Sequence, residues 1–181
     1  MKIRHLHTEN FKTSAWSGGT TTELYLYPEQ GSYADRNFKF RISSATVELE
    51  ESDFTPLPGV ERYITPLDGT FVLTHPGVAP VELPALAAPY CFSGEVPTHC
   101  VGRATDFNLM LKGCRGKMEL RQNVAPIARG FNSYFPVDDT VFTVENQVFS
   151  LKSGELLAIF AEKEGEIAFG KGSVLTCWAE I

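Results

Sequence analysis

The sequence lacks the features of several common protein classes. It has four cysteines, Cys91, Cys100, Cys114 and Cys177, which are widely spaced and form no CxxC pair. This pattern does not fit a small, cysteine-dense secreted scaffold, and we expect buried thiols. No apolar run approaches the ~20 residues that a membrane helix needs, and the amino terminus has no signal-peptide h-region. We therefore expect a cytoplasmic protein with no membrane partner.

Positive charge is also scarce. The chain has 16 Lys and Arg against 22 Asp and Glu, a net charge of -6 and a pI near 5.2. No run of basic residues stands out, which argues against nucleic acid or an anionic membrane as a partner. Single arginines can still bind a small anion, because local placement matters more than the total charge.

Motifs of catalysis and metal binding are absent as well. Gly18 and Gly19 are not followed by the Lys-Ser/Thr pair and helix of a P-loop, and there is no Gly-x-Ser-x-Gly elbow. His5 and His7 share a strand face, as paired metal ligands can, but no third ligand stands in helpful register. The cupin metal motif of His-x-His, Glu and a later His is missing. We expect no cofactor and no metal.

What the sequence does contain indicates an all-β fold. Eleven prolines and fifteen glycines divide the chain into short segments, and 43% of the residues are hydrophobic. Short strands with a turn every 8–12 residues indicate a sandwich or barrel. Asp68-Gly69 predicts a hairpin between strands over 63–67 and 70–74. The weakly periodic segment 121–136 predicts a connector between two β-rich parts of unequal size.

The segment Phe38–Leu49 changes its hydrophobic face partway along. Apolar residues occupy even positions at first and odd positions later, so Arg41 and Ser43 share a face with Ala45, Val47 and Leu49. If this face lines a barrel, an apolar floor lies below a rim that carries Arg41 and Ser43, as in a small-molecule site. The alternative is a β-bulge that leaves Arg41 in solvent.

A second strand repeats this pattern over 105–111. Asp106, Asn108 and Met110 share one face, so two polar groups again precede an apolar one. They indicate hydrogen bonds to a ligand, a salt bridge from Asp106 to Arg41, or simply a solvent-facing edge. Arg62 follows a proline-rich loop and is either a second anion-binding group or a surface charge.

Five ordered motifs resemble those of the HutD/Ves family. They are Trp16-Ser-Gly-Gly-Thr with Thr22-Glu-Leu, Phe40-Arg-Ile-Ser with Ala45, Phe54 with Pro58-Gly and Arg62, Phe92-Ser-Gly, and Asp106-Phe-Asn-Leu-Met. The resemblance implies a bicupin, with two packed antiparallel β-barrel units, a shared pocket and no cupin metal centre. It also implies a link to histidine utilisation through urocanate or formylglutamate, or to a stress response.

These observations lead to one expected function and two alternatives. We expect a metal-free bicupin, divided into units 1–120 and 121–181 with strand exchange allowed, that binds a small carboxylate-bearing metabolite. The alternatives are a metal-independent isomerase, epimerase or hydrolase using Asp106 or Glu23, and a protein-interaction module without a small ligand. A binding protein is favoured, and no oligomeric state is predicted. The expected ligand contacts are Trp16, Thr20, Arg41, Ser43, Arg62, Phe92, Asp106 and Asn108, with no catalytic residue.

Overall fold

The computed structural model describes residues 1–181 as an all-β chain, which confirms the predicted class. The fold includes a nearly closed barrel. One 3₁₀ turn, Thr8–Asn10, follows the first strand, and no helix has the length and hydrophobicity of a membrane span. The strands are β1 (Lys2–Leu6), β2 (Lys12–Trp16), β3 (Gly19–Tyr27), β4 (Phe40–Val47), β5 (Glu51–Asp53), β6 (Val60–Pro66), β7 (Thr70–Thr74), β8 (Val81–Pro84), β9 (Tyr90–Ser93), β10 (His99–Val101), β11 (Ala104–Lys112), β12 (Gly116–Ile127), β13 (Gly130–Pro136), β14 (Thr140–Val144), β15 (Gln147–Leu151), β16 (Leu156–Ala161) and β17 (Gly165–Ala179).

The chain divides into two compact units. One consists of Lys12–Gly113, and the other joins Met1–Phe11 to Cys114–Ile181. The sequence-based division at residue 120 places β1 with the first unit. In the structure β1 pairs antiparallel with β16, from Lys2↔Phe160 to Leu6↔Leu156, so it belongs with the carboxy-terminal strands.

The unit of Met1–Phe11 and Cys114–Ile181 is built on one sheet, ordered β1-β16-β13-β17-β14-β15, with β12 paired to β17. Its core contains Tyr134, Phe142, Ile159 and Ile167. The prediction of a connector over 121–136 is wrong, because this segment forms most of β12 and all of β13. A bulge in β12 between Gln122 and Val124 and the prolines Pro126 and Pro136 disguise its strand periodicity.

The unit Lys12–Gly113 contains a six-stranded sheet, β2-β3-β4-β11-β6-β9, and a four-stranded sheet, β5-β10-β7-β8. The predicted hairpin at Asp68-Gly69 is wrong, because β6 and β7 belong to different sheets. Two hydrogen bonds to Thr105 fix the chain where it passes from one sheet to the other. Asp68 accepts one from the Thr105 N–H at 2.6 Å, and the Leu67 N–H donates the other to the Thr105 carbonyl. The Asp-Gly pair therefore turns the chain between sheets.

The cysteines differ in their exposure. Cys100 and Cys177 are buried, Cys114 is half-buried, and Cys91 is exposed; all four are free thiols. The prediction of buried thiols is therefore wrong for Cys91, which alternates with buried Phe92 on the edge strand β9. Burial raises the pKa of the Cys100 and Cys177 thiols to about 12, so both remain protonated at neutral pH.

Candidate functional site

A cavity of about 570 Å³ lies in the unit Lys12–Gly113, over one face of β4, β11 and β6. These strands are neighbours in the six-stranded sheet. The odd positions of β4 and the even positions of β11 and β6 point the same way, because each strand alternates its side chains. Of the predicted ligand contacts, the lining contains Trp16, Arg41, Ser43, Arg62, Asp106 and Asn108.

Strand register places the polar side chains in adjacent rows. Met110 pairs with Arg41 on one side and with Arg62 on the other, so the two arginines flank one methionine. One step along, Asn108 pairs with Ser43, and Asp106 pairs with Ala45. Directly opposed and diagonal residues on one sheet face are within side-chain reach. The sheet thus gathers two cations, a carboxyl, an amide and a hydroxyl.

Arg41 is held in place by protein groups on three sides. Its Nε donates to Glu23 Oε2 at 2.8 Å, and its Nη1 donates to Ser43 Oγ at 3.2 Å. The guanidinium carbon lies 4.2 Å from the ring centroid of Tyr33. A guanidinium has five N–H donors, so these contacts fix its orientation and leave donors for a ligand.

Arg62 is buried without comparable polar support. Its guanidinium carbon lies 4.7 Å from the ring centroid of Phe54 and 5.3 Å from that of Phe92, and its Nε has no hydrogen-bond partner. Burial lowers the pKa of Arg62, whereas the charges of Tyr33 and Asp106 act in the opposite direction. Cation–π contacts contribute about 0.5–2 kcal/mol, but they leave the buried Nε–H donor unsatisfied.

Asp106 and Asn108 form a buried polar pair between the arginines and the strand end. Asn108 Nδ2 donates to Asp106 Oδ1, which also accepts from the Ala45 N–H at 3.3 Å. Asn108 Oδ1 has no partner. Desolvation raises the pKa of Asp106 to about 7, although the Arg62 charge and these hydrogen bonds oppose the rise. The carboxyl is therefore partly protonated at neutral pH.

The predicted order of floor and rim is reversed. Arg41 and Ser43 are 7% and 2% exposed, whereas Leu49 and Trp16 are 43% and 41% exposed. The polar groups therefore line the deep part of the cavity, and apolar side chains stand at its opening. The bulge alternative for β4 is also wrong, because this strand pairs with β11 without interruption from Phe40 to Val47. A bulge occurs in β3 instead, between Glu23 and Tyr25.

Thr20 and Phe92 do not line the cavity. Thr21 does, so Thr20 faces the other side of β3, where it pairs with Thr46. Phe92 is paired with Arg62 across β6 and β9 and packs beneath the guanidinium. Phe92 therefore supports a lining residue from outside the cavity.

Sequence reasoning missed three contributors. Glu23 was proposed only as a catalytic carboxylate, yet it forms the ion pair with Arg41. Tyr33 comes from the loop between β3 and β4, and no pattern in that loop marks it. Phe54 and Arg62 belong to the same one of the five motifs and are joined by a rigid proline-rich loop. This arrangement could have predicted that their side chains meet, as they do in the structure.

Comparison with known proteins yields one family and several structural relatives. The family model of HutD matches residues 8–175. Protein Ves of Cronobacter sakazakii (strain ATCC BAA-894) is 28% identical over an alignment of 166 residues, and the match covers 84% of this chain and 88% of that protein.

Two solved structures show the fold. HutD from Pseudomonas fluorescens SBW25 has a TM-score of 0.82 at 22% identity, covering 99% of this chain and 100% of that one. The bacterial pirin YhhW from Escherichia coli has a TM-score of 0.64 at 11% identity, covering 99% of each chain. The latter resemblance makes the fold cupin-like.

Proposed function

The chain belongs to the HutD family, and we propose that its cavity binds a small carboxylate-bearing metabolite. The protein acts in this proposal as a bicupin that senses its ligand rather than transforming it. Arg41 and Arg62 bind the carboxylate, Ser43 and Asn108 supply directed hydrogen bonds, and Trp16 covers the opening. The volume of about 570 Å³ suits a metabolite-sized ligand.

The observation that carries this proposal is a pair of buried polar atoms without partners. Arg62 Nε is an unused donor and Asn108 Oδ1 an unused acceptor, and both residues line the same cavity. Each such atom costs about 1–3 kcal/mol when buried unsatisfied. A ligand that carries a carboxylate and an N–H or O–H group satisfies both atoms. Its carboxylate accepts a hydrogen bond from Arg62 Nε, and its N–H or O–H group donates one to Asn108 Oδ1.

The charges of the cavity also favour an anion. Arg41 is neutralised by Glu23, whereas Arg62 has Asp106 as its opposing charge, and the pKa of Asp106 is raised to about 7. Asp53 also lines the cavity, but it is exposed and pairs with His99, so the buried end of the site is short of negative charge at neutral pH and a carboxylate supplies it. Two guanidinium groups and no histidine line the cavity, a donor set suited to anion recognition rather than to a metal ion.

The family suggests which carboxylates to test first. Its link to histidine utilisation names urocanate and formylglutamate, and each combines a carboxylate with an N–H donor. The structure of the Pseudomonas fluorescens relative was described for a formate condition, which makes formate a minimal probe. Binding of such a ligand without turnover would support a regulatory role in histidine utilisation or in a stress response.

A thermal-shift screen with formate, urocanate, histidine, formylglutamate and glutamate tests the proposal. A ligand present at 100 times its Kd stabilises by about 2.7 kcal/mol, which raises the Tm by several degrees. Arg41→Ala is expected to abolish the shift, because it removes the oriented guanidinium. Arg103→Ala is the matched control, since Arg103 is exposed and pairs with Glu50 in the same unit. An undiminished shift in Arg41→Ala contradicts the proposed role.

A metal-independent enzyme is the second candidate, and Asp106 is the observation that favours it. This buried carboxyl in a cavity has a pKa near 7, which is the range of an efficient general acid or base. Turnover of a ligand found in the screen, lost in Asp106→Asn while binding persists, supports the enzyme. Binding without turnover supports the sensor.

A further inference from the structure

Two histidines and a glutamate meet in the unit of Met1–Phe11 and Cys114–Ile181. His5 Nε2 lies 2.8 Å from Glu155 Oε2, and His7 Nδ1 lies 2.7 Å from Glu155 Oε1. The two imidazole centroids are 4.0 Å apart. The donor atoms of all three side chains lie within 4.8 Å of one another.

The fold gathers these residues from opposite ends of the chain. His5 and His7 are two residues apart on or just after β1, so they share a face. Leu6 pairs with Leu156, and the same antiparallel register carries Glu155 opposite His7. Glu155 Oε2 also accepts from the Lys152 N–H at 2.9 Å, which orients the carboxylate. The third ligand that the sequence pattern lacked is therefore supplied by the turn before β16.

We propose that His5, His7 and Glu155 bind a divalent transition metal of the zinc type. Two imidazole nitrogens and one carboxylate are a common zinc donor set, and three protein ligands leave one position for water. Metal–ligand bonds of about 2.0–2.2 Å place tetrahedral ligand atoms about 3.3–3.6 Å apart. The hydrogen-bonded atoms need to separate by less than about 1 Å to admit the ion.

The metal links two segments that are remote in sequence. His5 and His7 belong to the amino-terminal segment, whereas Glu155 belongs to the connection between β15 and β16. A bound ion replaces the two His–Glu hydrogen bonds with coordination bonds, while the Lys152 N–H continues to orient the carboxylate. Because the ligands come together only in the folded unit, binding stabilises that unit by linkage.

Titration of the tag-free, full-length chain with Zn²⁺ at pH 7.5, followed by isothermal calorimetry and thermal unfolding, tests this proposal. The native chain is expected to bind one zinc ion per chain at this site and to unfold at higher temperature with zinc. His7→Gln is the informative variant, because its amide still donates to Glu155 but is a poor zinc ligand. We expect its zinc affinity to fall at least tenfold.

His99→Gln is the matched control. His99 is 41% exposed beside 46% for His7, and its Nδ1 also lies 2.8 Å from a carboxylate, that of Asp53. It is expected to bind zinc like the native chain. His5→Gln repeats the test at the less exposed ligand if His7→Gln changes the Tm without metal. Equal zinc affinity in the native chain and both ligand variants, or no binding by the native chain, overturns the proposal.

Discussion

At the scale of single residues, Asp106 shows how the fold changes the chemistry of a side chain. It is 3% exposed and sits in a strand with buried residues on both faces. Desolvation opposes its ionisation more strongly than Arg62, the Ala45 N–H and Asn108 favour it, so its pKa rises from an ordinary value of 3.8 to about 7. The Asp106 carboxyl therefore gains or loses its negative charge near neutral pH, at which a carboxylate ligand is ionised.

The raised pKa of Asp106 predicts a stability that depends on pH. Well below pH 3.8 the carboxyl is protonated in both states, whereas between 3.8 and about 7 the folded state retains the proton that the unfolded state loses. Stability therefore falls as pH rises through this window and levels off above it. A shift of this size corresponds to about 4 kcal/mol.

Asp106→Asn removes this ionisation. The variant is expected to match the native chain in urea unfolding at pH 4 and to exceed it by a few kcal/mol at pH 8. Asp35→Asn, which changes an exposed carboxylate in the same unit, serves as the control and is expected to show no such difference. A gap between Asp106→Asn and the native chain that stays constant from pH 4 to pH 8 contradicts the assignment.

At the scale of strands, alternation predicted which residues share a face but not which end of the face is deep. Arg41, Ser43 and Ala45 do line one cavity, as the odd positions of a strand require. How deep a residue lies in the cavity depends on which other segments cover its strand. Here Arg41 is covered, whereas Trp16 and Leu49 lie at the exposed end of the cavity. No local pattern carries that information, because the covering segments come from elsewhere in the chain.

Pairing between strands was predicted less well than the strands themselves. The segments around Asp68-Gly69 are strands, but they join separate sheets because Asp68 bonds to Thr105 rather than closing a hairpin. Likewise, Glu23 reaches Arg41 only through the register of β3 with β4. These contacts join residues remote in sequence, so a reading of single segments does not reveal them.

Two adjacent glycines at the start of β3, Gly18 and Gly19, have different roles. Gly18 leaves room for the cavity residue Trp16, and Gly19 allows the backbones of β3 and β4 to approach closely. A Cβ added at Gly18 would lie 2.0 Å from the ring of Trp16, a side chain that can rotate away. A Cβ added at Gly19, which has a φ of +151°, would lie 1.9 Å from the Thr46 carbonyl oxygen, which is backbone. Gly18→Ala is therefore expected to displace Trp16 and weaken ligand binding with a stability change below about 1 kcal/mol.

Gly19→Ala provides the contrast. It forces apart the backbones of β3 and β4, and we expect a loss of about 2–4 kcal/mol in the free energy of unfolding. Chemical denaturation of both variants, with Trp fluorescence as a probe, distinguishes the two effects. Equal destabilisation by the two substitutions is inconsistent with this division of roles.

At the scale of the whole molecule, the order of the chain differs from the order of its compact units. The chain begins in one unit with Met1–Phe11, forms the other unit over Lys12–Gly113, and then returns to the first. A boundary at residue 120 follows the sequence, but β1 completes the edge of a sheet whose other strands all come after residue 113. Long-range pairing of this kind leaves no trace in composition or periodicity.

This topology predicts that the first strand stabilises a part of the protein more than 140 residues away. Removing residues 1–7 leaves β16 unpaired on one side, although Leu156, Leu157 and Ile159 are fully buried. We expect a Tm lower by several degrees and faster amide exchange in β16, while β4 and β11 keep their protection. Replacing both His5 and His7 with Ala in the full-length chain controls for the lost His–Glu contacts, because it removes both contacts and keeps the strand. If amide exchange becomes equally faster in both units, β1 has no local role, because that result means that the whole chain unfolds as one.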